Sequence, residues 1–256
     1  MTTTPRLHVD ATLVQGGSAT LSEAQAHYLK NVLRRSEGDE VLLFNARDGE
    51  FAAIIEALGK KKALTLVKER RRALADEPDL WLLFAAVKRD AVDLIAEKAT
   101  ELGVSLLQPV TTERTNAARV NEDRLAAIAT EAAEQSGRLT VPVVKELAPL
   151  NAVLGRWPED RRLMFCDEAG DAAGEEWGGR EGRAAPVLDA LRGATGEKWA
   201  ILIGPEGGFS PEERARLRSE RFVVPVTLGP RILKADTAAL AALTLWQAAR
   251  GDFQYR

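Results

Sequence analysis

The sequence has 256 residues, 45% of them hydrophobic and 29% charged, which is typical of a soluble globular protein with one large and one small domain. No apolar run approaches the ~20 residues of a membrane span, and residues 1–6 lack the pattern of a secretory signal, so we expect a cytosolic protein without membrane segments. One cysteine, Cys166, excludes an internal disulfide, and His8 and His27 form no cluster with zinc-ligand spacing, so we expect no metal.

Charge is shared unevenly along the chain. The net charge is −3, yet residues 1–75 hold 12 Lys and Arg against 9 Asp and Glu. The basic residues of this part cluster near its end, interrupted only by Glu69: Lys60, Lys61, Lys62, Lys68, Arg70, Arg71 and Arg72. A phosphate backbone selects such a cluster because each neutralised phosphate releases counterions. The alternative is a solvated strand edge that lysines keep soluble.

Residues 1–73 are predicted to form a small β-barrel. Short strands separated by turn signals are expected at 6–9, 40–44, 51–57 and 63–67, with a hairpin loop at 45–49. One helix interrupts them, because Ser22 and Gln25 make a capping box. Leu29, Val32 and Leu33 then form its apolar stripe.

A second domain is predicted over residues 80–256, after a linker at 73–79 that lacks periodicity and carries a proline. Strands are expected at 80–87, 104–110, 163–167, 199–203 and 222–228, and helices at 90–102, 122–136, 211–220 and 237–250. This alternation predicts an α/β fold, with a mainly parallel sheet covered by helices on both faces. The glycine-rich, charged segment 169–183 is interpreted as a mobile surface loop rather than a site.

A glycine-rich loop follows the apolar strand at 199–203. Its sequence GPEGGF leads into a helix start, where Ser210 caps, Pro211 occupies the first helical position and Glu213 completes a capping box. Open parallel sheets bind ligands at this end of their strands. A phosphate loop would need a lysine followed by Ser or Thr, and the glutamates would repel a pyrophosphate. A ligand with positive charge fits better, and a purely structural turn is the alternative.

A second loop follows the strand at 222–228 and reads GPRILKAD before an alanine-rich helix that Asp236 or Thr237 is expected to cap. Both loops should open on the same edge of the sheet and wall a pocket. Ile232 and Leu233 are apolar residues that a loop without a ligand or partner rarely exposes. Packing of these two residues against the last helix is the alternative.

IGPEGGFSPEE and LGPRILKADTAALAAL resemble the two C-terminal motifs of SPOUT-type methyltransferases, specifically the RsmE family that methylates uridine N3 in 16S ribosomal RNA. HYLKNVLR with GDEVLLFNARDGEF is similar to that family's PUA-like barrel, and KRDAVDLIAEKATELGVSLLQPVTTERT with EAAEQSGRLTVP to its central segment. The resemblance covers nearly the whole chain. One departure is that Lys234-Ala235-Asp236-Thr237 stands where the family has Arg-Thr-Glu-Thr, and lysine cannot fork to two acceptors as arginine can.

The resemblance implies a C-terminal trefoil knot, which sequence reasoning alone would reject because chains almost never thread loops. It also implies a homodimer and S-adenosylmethionine as cofactor. Ala239, Leu243 and Trp246 of the last helix give an apolar face that suits a dimer or a monomer core equally. Carried over by position, the cofactor residues are Leu202, Ile203, Gly204, Pro205, Glu206, Gly207, Gly208, Leu228, Gly229, Ile232 and Leu233.

The expected chemistry follows from the implied substrate. Uridine N3 must lose its proton as it attacks the methyl carbon, so orientation, a base and a cation would all help. Arg231 is the candidate cation, and Glu206 and Asp236 are both candidates for the base. The candidates to hold RNA are basic or amide residues of both domains: Arg34, Lys60, Lys61, Lys62, Arg70, Arg71, Lys88, Arg114, Gln135 and Arg138.

Three functions therefore stay open. The first is a uridine-N3 methyltransferase acting on 16S ribosomal RNA, within the small ribosomal subunit. The second is a related methyltransferase acting on another base or RNA. The third is a non-enzymatic RNA-binding or ribosome-assembly factor, favoured if the altered second loop no longer binds the cofactor.

Overall fold

A computed structural model describes residues 4–115, 119–172 and 174–253. The predicted domains extend at their outer ends to residues 1 and 256, which lie outside the described residues. The chain divides into two compact units. The first runs up to Asp76 and also includes Ala133–Val141, and the second comprises Glu77–Ala132 and the chain from Pro142 onward. The return of residues 133–141 to the first unit is a long-range feature that local sequence patterns did not indicate.

The first unit is built on a five-stranded sheet. Its elements are β1 (Arg6–His8), β2 (Ser18–Leu21), α1 (Glu23–His27), β3 (Glu40–Asn45), β4 (Gly49–Leu58) and β5 (Ala63–Arg72). The strand order is β1-β3-β4-β5-β2, with β1 and β3 parallel and the other pairs antiparallel. The predicted strands are confirmed, β5 is longer than expected, and β2 was missed.

The predicted capping box at Ser22 is confirmed, but the helix is shorter than its apolar pattern suggested. Gln25 N donates to Ser22 Oγ, and Ser22 N donates to Gln25 Oε1. After α1 the chain forms a π-helical turn at Tyr28–Val32. Because the wider turn rotates the side chains, Leu29 is buried whereas Val32 is 58% exposed. The predicted three-residue apolar stripe is therefore wrong at Val32.

A buried carboxylate links β4, β5 and the returning segment of the first unit. Arg6 Nε donates to Glu50 Oε2 at 2.6 Å, and Arg72 Nε donates to Glu50 Oε1 at 2.8 Å. Arg6 also donates to the carbonyl of Ala133 at 2.9 Å, and Arg72 to that of Gly137 at 2.9 Å. Glu50 is only 4% exposed. This Arg6–Glu50–Arg72 cluster attaches residues 133–141 to the sheet.

The second unit contains an eight-stranded sheet. Its strands are β6 (Leu80–Ala85), β7 (Leu106–Thr111), β8 (Val143–Val144), β9 (Ala148–Pro149), β10 (Arg161–Cys166), β11 (Ala185–Pro186), β12 (Lys198–Ile203) and β13 (Val223–Thr227). Its helices are α2 (Arg89–Glu101), α3 (Glu122–Ser136), whose last four residues belong to the first unit, α4 (Leu150–Leu154), α5 (Val187–Gly193), α6 (Pro211–Ser219) and α7 (Ala235–Arg250). The strand order is β11-β13-β10-β12-β6-β7-β8, with β9 beside β7.

The central strands are buried on both faces, as the predicted parallel sheet requires. All described pairings in this sheet are parallel. Because side chains alternate along a strand, Ile201 and Ile203 of β12 pack with the core that includes α2, α5 and α7. Leu202 points the other way, toward α4 and α6. The predicted α/β fold with helices on both faces is confirmed.

The last helix is packed inside the second unit. Ala239, Leu243 and Trp246 are each at most 1% exposed and belong to one core cluster with residues of α2. Of the two interpretations of this apolar face, the structure supports the monomer core. The helix begins after Lys234 and no side chain caps it, so the predicted cap at Asp236 or Thr237 is wrong. Asp236 lies inside the first turn and accepts instead from Thr237 N at 2.6 Å.

One buried amide joins the ends of α2 and α7. Gln247 is fully buried, and its Nε2 donates to the carbonyl of Leu102 at 2.7 Å. Its Oε1 accepts from the N–H of Asp252 at 3.1 Å. Among the described residues, no helix combines the length and apolar character needed to cross a membrane.

Candidate functional site

The candidate site lies where three strands of the second unit end. The glycine-rich loop (residues 204–209) follows β12, and the second loop (residues 229–234) follows β13. These strands are not neighbours, because β10 lies between them and pairs with both. The two loops therefore open on the same edge of the sheet and wall a common cavity, as predicted, but they follow strands that are not adjacent. The turn after β10, formed by Asp167 and Glu168, takes the position between them.

A first cavity joins all three strand ends. Its volume is about 40 Å³. It is lined by Cys166, Asp167, Glu168, Ile203, Gly204, Pro205, Leu228, Arg231, Leu233, Ala235 and Ala238. Burial raises the pKa of the Cys166 thiol, so this side chain stays protonated and contributes an apolar wall.

A second cavity shares Asp167 and Glu168 with the first. Its volume is about 620 Å³, within the roughly 300–1,000 Å³ that small-molecule sites occupy. Its wall is completed by the glycine-rich loop, the start of α6 and part of the segment 169–183. That segment was interpreted as a loop outside any site. The structure instead places Gly170, Asp171, Ala172, Trp177 and Gly178 in the cavity wall, and residue 173 lies outside the described part of the chain.

The start of α6 fixes the glycine-rich loop, as the sequence predicted. Glu213 N donates to Ser210 Oγ at 3.1 Å, and Ser210 N donates to Glu213 Oε2 at 3.1 Å. Within the loop, Gly208 N donates to the carbonyl of Pro205 at 2.9 Å. Gly208 has a φ of +66°, and a Cβ there would come within 2.9 Å of the Trp177 ring. Glycine is therefore needed at this position.

The predicted cofactor residues divide into three groups by position. Ile203, Gly204, Pro205, Leu228 and Leu233 line the first cavity, and Gly208 lines the second. The Leu202 side chain packs in the core on the opposite face of the sheet. The remaining predicted residues lie on the loops but outside both linings: Glu206, Gly207, Gly229 and Ile232.

The three predicted catalytic residues occupy different surroundings. Arg231 lines the first cavity with its side chain exposed. Glu206 is exposed on the glycine-rich loop. Asp236 is half-buried and bonded to Thr237. Among the residues of the second loop that differ from the family's sequence motif, Ala235 is buried in the cavity wall, whereas Lys234 is exposed.

The two carboxylates after β10 differ in their partners. Asp167 is 2% exposed and accepts from Arg214 Nε and Arg218 Nε, each at 2.7 Å. Glu168 forms no ion pair with the described residues. Burial, reinforced by the neighbouring Asp167, raises the pKa of the Glu168 carboxyl above its ordinary value. A carboxyl of this kind in a cavity wall is a candidate functional group.

The predicted RNA-binding residues fall in both units. In the second unit, Lys88 is exposed at the start of α2, and Arg114 Nη1 donates to the Gly207 carbonyl at 3.0 Å, next to the glycine-rich loop. In the first unit, Arg138 donates to Thr140 Oγ1, and Gln135 also has a bonding partner. The other predicted residues of this unit are exposed: Arg34, Lys60, Lys61, Lys62, Arg70 and Arg71. Lys60, Lys61 and Lys62 form the turn between β4 and β5, and Arg71 pairs with Glu69 and Glu40.

Comparison with known families identifies both parts of the chain. Residues 75–247 match the model of an RNA methyltransferase domain, and residues 21–68 match that of an RNA methyltransferase PUA domain. The first match spans most of the sequence. The chain belongs to the RNA methyltransferase family.

Two curated relatives and a solved structure support this membership. Ribosomal RNA small subunit methyltransferase E of Rickettsia conorii is 30% identical over 239 residues, 93% of each chain. The protein of the same name from Bacillus subtilis is 29% identical over 232 residues, 88% of each chain. The structure of ribosomal RNA small subunit methyltransferase E from Neisseria gonorrhoeae bound to S-adenosyl methionine has a TM-score of 0.84 at 29% identity. It covers 98% of this chain and 100% of that one.

Sequence reasoning missed three residues that line the cavities of the candidate site: Asp167, Glu168 and Trp177. Asp167 and Glu168 end the apolar run of β10, a position equivalent to that of the two loops that were recognised. The end of this apolar run is therefore the local signal for Asp167 and Glu168. Trp177 gave no local signal, because its place beside Gly208 depends on the course of the whole segment.

Proposed function

We propose that this enzyme transfers the methyl group of S-adenosylmethionine to N3 of a uridine in 16S ribosomal RNA. The observation that carries the proposal is the strand-end cavity, which combines apolar walls, two carboxylates and Arg231. The names of the relatives from Rickettsia conorii and Bacillus subtilis give the small-subunit ribosomal RNA. Uridine N3 as the target rests on the resemblance of the two loop motifs to the RsmE family.

The residues around the cavity fit this donor. Ile203, Leu228 and Leu233 offer apolar surface to an adenine ring, and the neutral thiol of Cys166 adds to it. When bound, S-adenosylmethionine supplies an electrophilic methyl group on a positively charged sulfur. The adjoining cavity of about 620 Å³ shares Asp167 and Glu168 with the first, so the donor and the acceptor base can occupy neighbouring cavities.

The protein's own contribution is orientation and charge. Fixed loops hold the reacting groups in line, which lowers the activation free energy by several kcal/mol. Arg231 stabilises the negative charge that develops on the uracil as N3 loses its proton. Glu206 and Asp236 are predicted candidates for the base, although one is exposed and the other is bonded to Thr237.

RNA binding is assigned to the basic residues of both units. Lys60, Lys61 and Lys62 form an exposed turn suited to phosphates, and Arg70 and Arg71 extend it along β5. Beside the glycine-rich loop, Arg114 is placed to contact the substrate, with Lys88 at the start of α2. The predicted small domain (residues 1–73) thus binds RNA, and the predicted large domain (residues 80–256) carries the reaction. We propose that the substrate is the ribosomal RNA within the small subunit in the cytoplasm.

The family's knot and dimer are also part of the proposal. β13 lies between β10 and β11, although the chain passes from β10 to β11 before it forms β13. The connection from β10 to β11 therefore passes over β13. We propose that the C-terminal segment threads this connection and forms a trefoil knot. A homodimer would use surface other than Ala239, Leu243 and Trp246, which are buried within one chain. Sedimentation of the purified protein measures its mass in solution.

The central test uses small ribosomal subunits from a strain that lacks the gene. Incubation with the enzyme and labelled donor should place one methyl group on N3 of a single uridine, located by mass spectrometry. Replacing Arg231 with Ala should lower kcat about 10²- to 10³-fold while the circular dichroism spectrum stays unchanged. Arg221→Ala is the matched control, because Arg221 precedes the opposite end of β13. Equal rates for Arg231→Ala and Arg221→Ala would remove Arg231 from the site.

A further inference from the structure

The segment that follows β10 is held in place by two arginines of α6. Besides the bonds to Asp167, Arg214 Nη2 donates to the carbonyl of Ala169 at 2.6 Å, and Arg218 Nη2 donates to that of Gly182 at 2.8 Å. The segment is also cross-linked by its own main chain, since Gly170 N donates to the carbonyl of Trp177 at 2.8 Å. The wall of the second cavity is therefore a preorganised structure.

Trp177 is positioned by an unusual backbone. Its φ is +53°, one of two positive values among the described non-glycine residues. Such conformations persist only where the surroundings enforce them, and they cluster at functional sites. The indole lies against Gly208, whose missing side chain makes room for it. An aromatic ring is thus held in the wall of a cavity large enough for a nucleobase.

Glu168 lies between the two cavities and belongs to the lining of both. A Cβ at Gly208 would be 3.6 Å from Glu168 Oε1, so the carboxylate and the indole flank the same glycine. Burial and Asp167 raise the pKa of the Glu168 carboxyl, while a hydrogen bond with its own backbone and the charges of Arg214 and Arg183 act in the opposite direction. Arg114 also faces the second cavity and Arg231 the first.

We propose that the second cavity receives the target uracil, with Trp177 stacking against the ring and Glu168 accepting the proton from N3. The inference rests on the proposed function and names the base that the sequence left open. The N3–H bond breaks and its proton passes to the Glu168 carboxylate. The N3 electron pair forms a bond to the methyl carbon, and the carbon–sulfur pair stays on sulfur as a neutral thioether. The protonated Glu168 then releases its proton to solvent.

Glu168→Gln tests the proton transfer. The amide resembles the neutral acid that burial already favours, so the variant should fold and bind the donor as the wild type does. We expect kcat with small subunits from the deletion strain to fall about 10²- to 10⁴-fold. The wild-type rate should fall as the pH drops through the raised pKa of Glu168. In the variant, the fall in rate around the pKa of Glu168 should be absent. Its low rate should instead rise only at the higher pH at which uridine N3 ionises without a base.

Glu176→Gln is the matched control, an exposed glutamate of the same segment, and should behave as wild type. Calorimetry with S-adenosylmethionine and with its neutral product separates the alternatives. Selective loss of affinity for the charged donor would make Glu168 a counter-charge and overturn the inference, as would an unchanged kcat. A wild-type protein that binds no donor would contradict the proposed function itself.

Trp177→Ala tests the base pocket independently of Glu168. Loss of one stacking contact should raise KM for the ribosomal subunit about tenfold, with donor affinity unchanged, and Trp177→Phe should restore most of it. An unchanged KM in Trp177→Ala, or an equal loss in Trp177→Phe, would contradict stacking at this position.

Discussion

Two buried carboxylate sites, one in each unit, show how surroundings decide what an acidic residue does. In the first unit, Glu50 accepts from Arg6 and Arg72. In the second unit, Asp167 is paired with Arg214 and Arg218, yet its neighbour Glu168 has no ion pair among the described residues and faces two cavities. Paired carboxylates keep a structure together, whereas an unpaired one in a cavity wall is available for chemistry.

The same contrast is visible in the pKa directions. Burial alone would raise the pKa of Glu50, but the hydrogen bonds from Arg72 and Arg6 outweigh it and hold the pKa below its ordinary value. At Glu168 burial prevails, and the pKa is raised. Glu50 thus stays ionised and bonded at neutral pH, while Glu168 is closer to exchanging a proton there.

The largest expected effect is on stability, from Glu50→Ala. The change leaves Arg6 buried without its partner, which should cost about 3 kcal/mol of unfolding free energy. Tryptophan fluorescence would not report on the first unit, because all five tryptophans lie in the second. Hydrogen exchange of the β3, β4 and β5 amides is therefore the suitable measurement. Glu40→Ala removes an exposed partner of Arg71 and is the control, with an expected cost of about 0–1 kcal/mol. Equal losses in both variants would contradict a special role for Glu50.

A smaller effect is expected from Arg214→Gln. The variant loses the bond to Asp167 and those to the carbonyls of Ala169 and Gly170. Hydrogen exchange in residues 169–183 should become faster, because the free energy of local opening should fall by about 1.5–3 kcal/mol. KM for the ribosomal subunit should rise. Arg216→Gln is the control, because Arg216 lies on the same helix and, among the described residues, its side chain bonds only to Asn151. Protection that persists in Arg214→Gln would show that the segment does not depend on this arginine.

The smallest effect concerns acid stability. Because the folded pKa of Glu50 is lowered, its stabilising contribution is complete above the unfolded value near 4.5 and is lost as the pH falls through the folded pKa. The Glu50→Gln variant has no carboxyl to protonate at this position, so its stability should change less than that of the wild type as the pH falls below about 4.5. Urea unfolding from pH 7 to pH 3, followed by circular dichroism, measures the difference. Parallel curves for the two proteins would exclude Glu50 as a source of acid sensitivity.

Local features of the fold were predictable from the sequence. The capping boxes at Ser22 and Ser210 depend on residues three positions apart, and both are present. The alternation of apolar strands and helices predicted the parallel sheet, because each buried strand carries its own pattern. The ends of α7 and α1 were less predictable, since Lys234 caps without a side-chain bond and Val32 lies in a π-helical turn.

Long-range features were not predictable. The order of strands in a sheet is set by pairings between distant segments, so the position of β10 between β12 and β13 was hidden. That order brings Glu168 between the two recognised loops. Trp177 lies against Gly208 because of the course of its whole segment, to which Arg214 and Arg218 contribute. The two loops of the site were therefore predictable because they carry local motifs, whereas the residues that lie between them carry none.

The amide of Gln247 has an evolutionary consequence. Its Nε2 lies 2.7 Å from where a Cβ would stand at Gly103, which has a φ of +83°. A side chain at position 103 would be strained by this φ and would also meet the amide that joins the ends of α2 and α7. In an alignment of homologues, glycine should therefore predominate at position 103 whatever residue stands at 247.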